Sequence, residues 1–191
     1  MQRRVFEVPT LPPSVPGMRL FSALTTALRT AGARLVIGAK VVGAKTHGGQ
    51  IEAVEVASAA GTVSHPARSV VLASGGFASG GLELDSLGAT RETVFDLPVA
   101  GVPDAQRPHF APEYFDAQPL AAAGVAVDEL LRPVDGNERP VYMNLHAAGA
   151  ILAGAVPWKE KSGTGISVAT GYAAAQAILA PHAVPVVEPI R

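Results

Sequence analysis

The sequence contains no cysteine among its 191 residues. Disulfide bonds, iron–sulfur clusters and thiolate zinc sites are therefore excluded within this chain, because each needs cysteine sulfur. The five histidines are far apart, and no two stand at the spacing of a metal-binding pair. The G-x-S-x-G elbow of serine hydrolases and the G-x-x-x-x-G-K phosphate loop are also missing. The residues thus predict no metal site and neither of these two kinds of catalytic or phosphate motif.

Charged residues are few, and long apolar runs are lacking. The net charge is −1, which provides no basic surface for nucleic acid or for an anionic membrane. A membrane-spanning helix needs about 20 apolar residues, whereas the best runs, Ala147–Val156 and Tyr172–Ala180, each stop at a proline. The segment after Met1 lacks the apolar stretch of a secretory signal. With 48% hydrophobic residues, the chain is expected to be a soluble protein with a sizeable core.

Hydrophobic periodicity predicts an α/β fold with a mixed sheet, a small antiparallel meander and two long helices. Four prolines within Val8–Pro16 predict extended backbone there. Apolar residues at i, i+4, i+7, i+8 and i+11 predict a helix over residues 18–32 that ends at Gly32. The other predicted elements are a strand at Leu35–Ile37, a hairpin of 41–46 and 50–57 around Gly48-Gly49, a strand at 62–65 after Gly61, strands at 69–72 and 141–149, and a helix at 164–180.

Composition divides the chain into four parts. Residues 1–80 hold the first helix, the meander and the strand at 69–72, and residues 140–180 hold the final strand and helix. Between them, residues 81–139 are rich in proline and glycine, lose all periodicity, and are expected to form a cap or insertion. Residues 181–191 form a proline-rich tail that is expected to be extended.

The final helix has two features that favour close packing and binding. It is apolar nearly all round, which predicts that it is buried, and small residues at Ser167, Thr170, Gly171 and Ala174 leave room for another backbone. Gly163-Thr164-Gly165 opens the helix, where unpaired N–H groups and the positive end of the helix dipole suit an anionic or polar ligand. The alternative is a helix start whose glycines only allow the loop to turn.

A second glycine-rich segment, Ala73-Ser74-Gly75-Gly76, follows the predicted strand at residues 69–72. Glycines let a backbone approach a ligand closely, although an ordinary strand-to-loop turn would use them as well. The segment resembles the A-[ST]-G-G motif of the large FAD-dependent oxidoreductases with two-part flavin domains, whose backbone passes close to the cofactor at that point. Its position ahead of Gly149 and Gly165 matches the order of elements in those proteins.

The segments AAGAILAG, WKEKSGTG and ATGYAAAQAI resemble the C-terminal end of the B-subunit family of anaerobic glycerol-3-phosphate dehydrogenases. That family belongs to the fumarate reductase–like flavoprotein group. The resemblance implies that FAD or FMN is held mainly by backbone groups, and it indicates no catalytic side chain. The implied cofactor-binding residues are Ala73, Ser74, Gly75, Gly76, Gly149, Ala150, Gly163, Gly165 and Ile166.

The same resemblance implies an activity, partners and a location. The parent protein is expected to oxidise sn-glycerol 3-phosphate to dihydroxyacetone phosphate and to pass electrons toward quinone. Its implied partners are a catalytic flavoprotein subunit and an iron–sulfur subunit that anchors the complex. The location implied is cytoplasmic, peripheral at the inner membrane through those subunits.

Flavoproteins of this type begin with a strand, a G-x-G-x-x-G turn and a helix. The nearest match here, Gly163–Val168, lacks the third small residue. The chain is therefore expected to be the C-terminal part of a longer protein, inactive as a dehydrogenase alone, with apolar surfaces that favour a homo-oligomer. The alternatives are a non-catalytic fragment or assembly subunit without flavin, or another fumarate reductase–like flavoprotein.

Three side chains have two interpretations each. His146 is a packed histidine or an acid–base group, and the sequence favours packing. Lys161 lies in a solvated Lys-Glu-Lys loop, or it offsets negative charge on a reduced flavin or a substrate phosphate. Arg132 binds a phosphate or carboxylate ligand, or it forms a structural ion pair.

Overall fold

A computed structural model of the chain describes residues 14–103, 108–113, 115–162 and 164–180. The described residues form two compact units, one that ends at Ala39 and one that begins at Lys40. The helices and strands, in chain order, are α1 (Val15–Thr30), β1 (Lys40–His47), β2 (Gln50–Ser58), β3 (Gly61–Pro66), β4 (Val70–Leu72), β5 (Leu82–Leu84), β6 (Thr90–Glu92), β7 (Val99–Ala100), β8 (Gly124–Val125), β9 (Leu145–Ala147), α2 (Pro157–Glu160) and α3 (Gly165–Leu179). Within these ranges, 3₁₀ turns lie at Phe77–Ser79, Pro119–Ala122 and Gly149–Ile151.

Helix α1 begins earlier than the sequence predicts. Ser14 caps it by accepting a hydrogen bond from the Gly17 N–H at 3.2 Å, and Pro16 lies in its first turn. Proline is tolerated there because the N–H that it lacks has no partner within the helix. The expectation of extended backbone is therefore wrong at Val15 and Pro16, and residues 8–13 of that stretch lie outside the described residues.

The end of α1 confirms the predicted stop at Gly32, which has a φ of 77°. The Gly32 N–H donates to the Arg29 carbonyl at 3.0 Å, and the Ala33 N–H donates to the Leu28 carbonyl at 2.9 Å. This pair of bonds is the Schellman arrangement, in which a left-handed residue satisfies the last carbonyl groups of a helix.

The predicted strand at Leu35–Ile37 is wrong. These three residues form no strand, and Ile37 is 78% exposed. A strand exists through hydrogen bonds to a neighbour, and no described strand pairs with this segment. The β-branched side chains of this segment are not sufficient to make it a strand.

The predicted meander is confirmed. Strands β1 and β2 pair antiparallel with His47 opposite Gln50, and β3 pairs antiparallel with β2. Gly48 and Gly49 have φ values of 56° and 75°. Positive φ at both central residues defines a type I′ turn, whose twist matches that of the flanking strands.

Strands β4 and β9 form a parallel pair, in which Val70 lies opposite Leu145 and Leu72 lies opposite Ala147. Leu72, Leu145 and Ala147 are buried. The α/β class is therefore confirmed, with parallel and antiparallel pairing both present. The prediction of a mixed sheet is wrong for the described residues, because their strands form four small separate sheets.

The segment expected to be a cap, residues 81–139, contributes to the same hydrophobic core as β4 and β9. Leu82, Leu97 and Val125 pack in that core, and Val125 forms a parallel bridge with Leu152. Strands β5 and β6 form an antiparallel hairpin, and β7 pairs antiparallel with β8. The role of this segment as a cap over a ligand remains a prediction.

Glu92, at the end of β6, is buried to 1% exposure. Its carboxyl oxygens accept hydrogen bonds from the N–H groups of Val94 at 2.8 Å and Phe95 at 2.7 Å. A third bond comes from the Leu97 N–H at 3.4 Å. These bonds satisfy a buried polar group that would otherwise be costly, so Glu92 stabilises the loop that carries Leu97 into the core.

Helix α3 has the predicted bounds to within a residue at each end but not the predicted burial. Of its residues, only Ala174 is fully buried, while Val168 and Tyr172 are each 68% exposed and Leu179 is 75% exposed. Within the described part of the chain, α3 packs mainly on β9 and on the 3₁₀ turn at Gly149–Ile151. One narrow face is therefore covered. No described helix has the length and apolar character to span a membrane.

The Asn144 side chain connects the meander to β9. Its Oδ1 accepts a hydrogen bond from the Ile51 N–H at 2.8 Å, and its Nδ2 donates to the Ile51 carbonyl at 2.8 Å and to the Arg68 carbonyl at 3.0 Å. The Met143 N–H adds a bond to the Gly49 carbonyl at 2.9 Å. The side-chain amide of Asn144 thus makes the pair of hydrogen bonds to Ile51 of β2 that the backbone of a neighbouring strand would make.

We expect Asn144→Ala to lower the free energy of unfolding by about 2 kcal/mol or more, because the buried N–H and carbonyl groups of Ile51 lose their partners. Urea unfolding followed by circular dichroism measures this change. Asn137→Ala is the control, since Asn137 is exposed in a turn, and it should change stability by no more than about 0.5 kcal/mol. Equal effects of the two substitutions would contradict this role of Asn144.

Candidate functional site

Two glycine-rich segments leave the same edge of the parallel pair. Ala73–Gly76 follow β4, and Ala148–Ile151 follow β9. Parallel neighbours end at one edge, which is where ligands bind in open α/β sheets. The segments contact each other, because a Cβ atom placed on Gly76 would lie 3.0 Å from the Ala150 carbonyl oxygen. The structure therefore brings together two sets of predicted site residues that are far apart in the sequence.

The start of α3 joins this edge. The Gly149 N–H donates to Thr170 Oγ1 at 2.8 Å, and the Thr170 hydroxyl donates to the Ile166 carbonyl at 2.6 Å. A Cβ atom on Gly149 would lie 3.4 Å from Ser167 Oγ. The small residues of α3 thus do allow a close backbone approach, as predicted. Gly165 begins the helix at this place, whereas Gly163 lies outside the described residues.

The glycines of this site are needed for contacts within the chain. Gly75 has a φ of 76°, and a Cβ atom on it would lie 2.6 Å from the Ser79 side chain. A Cβ atom on Gly81 would overlap the Gly75 carbonyl oxygen. The sequence interpretation assigned the close approach to a ligand, but here the neighbour is the polypeptide itself. Contact of these glycines with a cofactor remains a prediction.

Several polar groups at this edge are available to a ligand of the flavin type. Ser74 Oγ is buried and has no hydrogen-bond partner among the described residues, so the hydroxyl at the end of β4 is not used within that part of the chain. No side chain caps α3 at Thr164. The Gly165 N–H donates to the Ser162 carbonyl at 2.8 Å, whereas the other N–H groups in the first turn of a helix lack acceptors within it. The edge therefore offers hydrogen-bond donors and a positive dipole end to carbonyl oxygens of a flavin ring. The residues present fit that group.

His146 is a packed histidine, as the sequence favours. Its side chain is 5% exposed, and Nδ1 lies 2.8 Å from the Leu130 carbonyl oxygen. A carbonyl only accepts, so Nδ1 carries the proton. Lys161 is exposed, which agrees with the solvated-loop interpretation.

Arg132 forms the structural ion pair. Its Nε and Nη2 atoms lie 2.8 Å and 2.7 Å from Asp128 Oδ2, and both side chains are about four-fifths buried. Burial by itself raises the pKa of Asp128, but hydrogen bonds from the Arg132 side chain and backbone, with the guanidinium charge, hold that pKa below its ordinary value. The guanidinium is thus engaged within the chain.

The ion pair braces the outer edge of β9. It closes a turn in which Leu131 has a φ of 60°, and the Leu131 carbonyl accepts the Ala147 N–H at 2.8 Å. The preceding carbonyl, of Leu130, accepts from the His146 ring. Strand β9 is therefore held by β4 on one side and by this turn on the other.

The lowered pKa of Asp128 predicts a pH-dependent stability. A carboxyl group whose pKa is lower in the folded chain stabilises above the unfolded pKa, near 4, and this contribution is lost as the pH falls through the folded value. We expect Asp128→Asn to cost about 1 kcal/mol at about pH 7 and progressively less below about pH 4. Urea unfolding across this range measures the difference.

Glu129→Gln is the matched control for this pH profile. Glu129 is the exposed neighbour of Asp128, and its substitution should change stability by about 0.5 kcal/mol at most. A destabilisation by Asp128→Asn that stays constant down to about pH 3 would show that the charge of Asp128 does not contribute.

The backbone conformation of the β9 turn predicts a second stability effect. Gly149 has a φ of 81°, which side-chain-bearing residues adopt at a cost, so Gly149→Ala should destabilise by about 1–2 kcal/mol. Gly171→Ala in α3 is the control, since a Cβ atom there meets nothing within 4 Å and alanine should stabilise the helix by about 0.5–1 kcal/mol. Thermal unfolding distinguishes the opposite signs, and a neutral Gly149→Ala would refute the conformational argument.

Within the described residues, no three histidine or acidic side chains lie together as a metal site would require. A surface cavity of about 450 Å³ lies on the β5–β6 hairpin and is lined by Phe77, Leu84 and the exposed Glu83–Arg91 ion pair among others. It is a groove beside the hairpin rather than the edge where the predicted site residues meet.

The α/β fold agrees with that of the family expected from the sequence, and comparison with known proteins identifies this family. Residues 1–166 match the family described as the FAD binding domain. The chain belongs to this family.

Three similar curated proteins are more specific, and each is named as the B subunit, or probable B subunit, of an anaerobic glycerol-3-phosphate dehydrogenase. The chain is 41% identical over 173 residues to the probable B subunit of Halobacterium salinarum, covering 91% of this chain and 40% of that protein. It is 34% identical over 183 residues to the B subunit of Vibrio cholerae, covering 95% of this chain and 41% of that protein. The B subunit of Yersinia pseudotuberculosis is 34% identical over 178 residues, covering 93% of this chain and 41% of that protein. The predicted resemblance to the B-subunit family is confirmed.

The chain spans about two fifths of the length of the curated relatives that it matches. No solved structure shows a significant match to it.

Proposed function

We propose that this chain forms the flavin-ring side of an FAD-binding domain in a dehydrogenase of the B-subunit family. The observation that supports this is the convergence of three segments at one edge, namely those at Gly75-Gly76, Gly149-Ala150 and Gly165-Ile166. Backbone N–H and carbonyl groups of these segments would hold the ring, with the Ser74 hydroxyl as an additional partner. FAD is the cofactor that the family match favours, while FMN would require fewer contacts.

The contribution of the chain to catalysis would be binding and orientation. A bound flavin supplies a two-electron acceptor for the oxidation of an alcohol carbon. The first-turn N–H groups of α3 would donate to an acceptor oxygen and stabilise negative charge at that position, because the helix dipole is positive there. The close contact of Gly76 with Ala150 would keep water out from below the ring.

The proposed substrate and partners follow from the similarity to the relatives. Those proteins are named as the B subunit of an anaerobic glycerol-3-phosphate dehydrogenase, so we infer oxidation of sn-glycerol 3-phosphate to dihydroxyacetone phosphate. Electrons would pass toward quinone through a catalytic flavoprotein subunit and an iron–sulfur anchoring subunit. In this arrangement the chain is cytoplasmic and is held at the inner membrane by those partners.

A non-catalytic assembly subunit or fragment without flavin is the second candidate. The observation that favours it is that protein atoms already occupy the close approaches at Gly75 and Gly76. On this interpretation the glycines serve the packing of the chain alone, and the chain holds no cofactor.

Visible absorption of the purified chain distinguishes the two candidates. After incubation with FAD or with FMN and removal of the free cofactor, we expect flavin bands near stoichiometric amounts. Gly149→Ala should reduce the retained flavin because it displaces the β9 turn, whereas the control Gly171→Ala should retain the wild-type amount. A colourless wild-type chain that is folded by circular dichroism would refute flavin binding and support the assembly candidate.

A further inference from the structure

The Thr170 hydroxyl links two segments of the candidate site. Its oxygen accepts the Gly149 N–H at 2.8 Å, and its proton goes to the Ile166 carbonyl at 2.6 Å. A hydroxyl has one proton to donate, so this bond to Ile166 fixes the orientation in which its lone pair receives Gly149. The result is a directed chain of hydrogen bonds from the β9 turn to the first turn of α3.

The groups around this link leave little room for an alternative. Gly149 is buried and its φ of 81° sets the direction of its N–H. Ser167 Oγ would lie 3.4 Å from a Cβ atom at Gly149. Among the hydrogen bonds of the described residues, no other joins α3 to the turn after β9. Packing brings the two segments together, and one side-chain oxygen supplies the hydrogen bond that fixes their register.

We propose that Thr170 is a positioning residue for the flavin site, an inference that rests on the proposed function. Its hydroxyl sets the distance between Gly149-Ala150 and Gly165-Ile166, and thereby decides whether donors from both segments reach one ligand together. Valine has the shape of threonine but no acceptor, so in Thr170→Val the Gly149 N–H either stays unpaired or α3 shifts to relieve it. Serine retains the oxygen and should retain the geometry.

The first test is the dissociation constant of flavin, measured by quenching of FAD and FMN fluorescence. We expect Thr170→Val to weaken binding about tenfold, the effect of one lost buried hydrogen bond, and Thr170→Ser to bind within about twofold of wild type. Thr26→Val is the matched control, because the Thr26 hydroxyl makes the same bond to the carbonyl four residues earlier, Ser22, at 2.9 Å. It receives no N–H in the described residues, and its loss should not change flavin affinity.

The second test needs no flavin. Amide hydrogen exchange of Gly149, followed by NMR on the apo chain, should accelerate in Thr170→Val and stay at the wild-type rate in Thr170→Ser and Thr26→Val. Should Thr170→Val fail to fold, the serine variant decides, because a large loss of affinity in Thr170→Ser contradicts a role for the hydroxyl.

The outcomes separate this proposal from the function on which it rests. A wild-type chain that binds neither FAD nor FMN overturns both. A wild-type chain that binds flavin, with Thr170→Val equal in affinity although its Gly149 amide exchanges faster, overturns only the positioning role of Thr170. Weaker binding in Thr170→Val with rescue by serine supports it.

Discussion

The parallel pairing of β4 with β9 is the constraint on which the rest of the larger unit depends. Their register places Leu72 opposite Ala147, and so the residues that follow each strand leave the same edge. A parallel pair requires a long connection, which here runs through residues 73–144. That connection returns to the pair, since Leu82, Leu97 and Val125 pack in the same core. The pairing of β4 with β9 thus positions both the hydrophobic core and the candidate site.

The short β9 strand is stable because it is engaged from several sides. Asn144 ties its beginning to Ile51 of the meander, and the turn closed by Asp128 and Arg132 bonds to its outer edge at Ala147. Hydrogen bonds from polar side chains and from a turn therefore hold the edges of β9, as neighbouring strands do in larger sheets. Most of these bonds are partly or fully buried, where an unpaired group costs the most.

The glycines at the candidate site serve two requirements at once. The positive φ of Gly75 and Gly149 and their contacts with Ser79 and Ser167 are demands of packing within the chain. The same small size would let a flavin ring approach the backbone at the edge where it is proposed to lie. A glycine pattern alone does not tell these requirements apart, because both exclude a Cβ atom for steric reasons.

Local chemistry in the sequence determined α1 with its Gly32 stop, the Gly48-Gly49 hairpin, the bounds of α3 and the resemblance to the B-subunit family, since each depends on residues within a few positions. The tertiary structure decided what depends on distant partners. Leu35–Ile37 has strand-forming side chains but no neighbour to pair with among the described strands. Helix α3 has an apolar surface of which only one narrow face is covered. Arg132 forms its ion pair with Asp128 within the chain. Asn144 and Thr170 act through Ile51 and Gly149, groups that approach only when the chain has folded, so their roles could not be read from the order of residues.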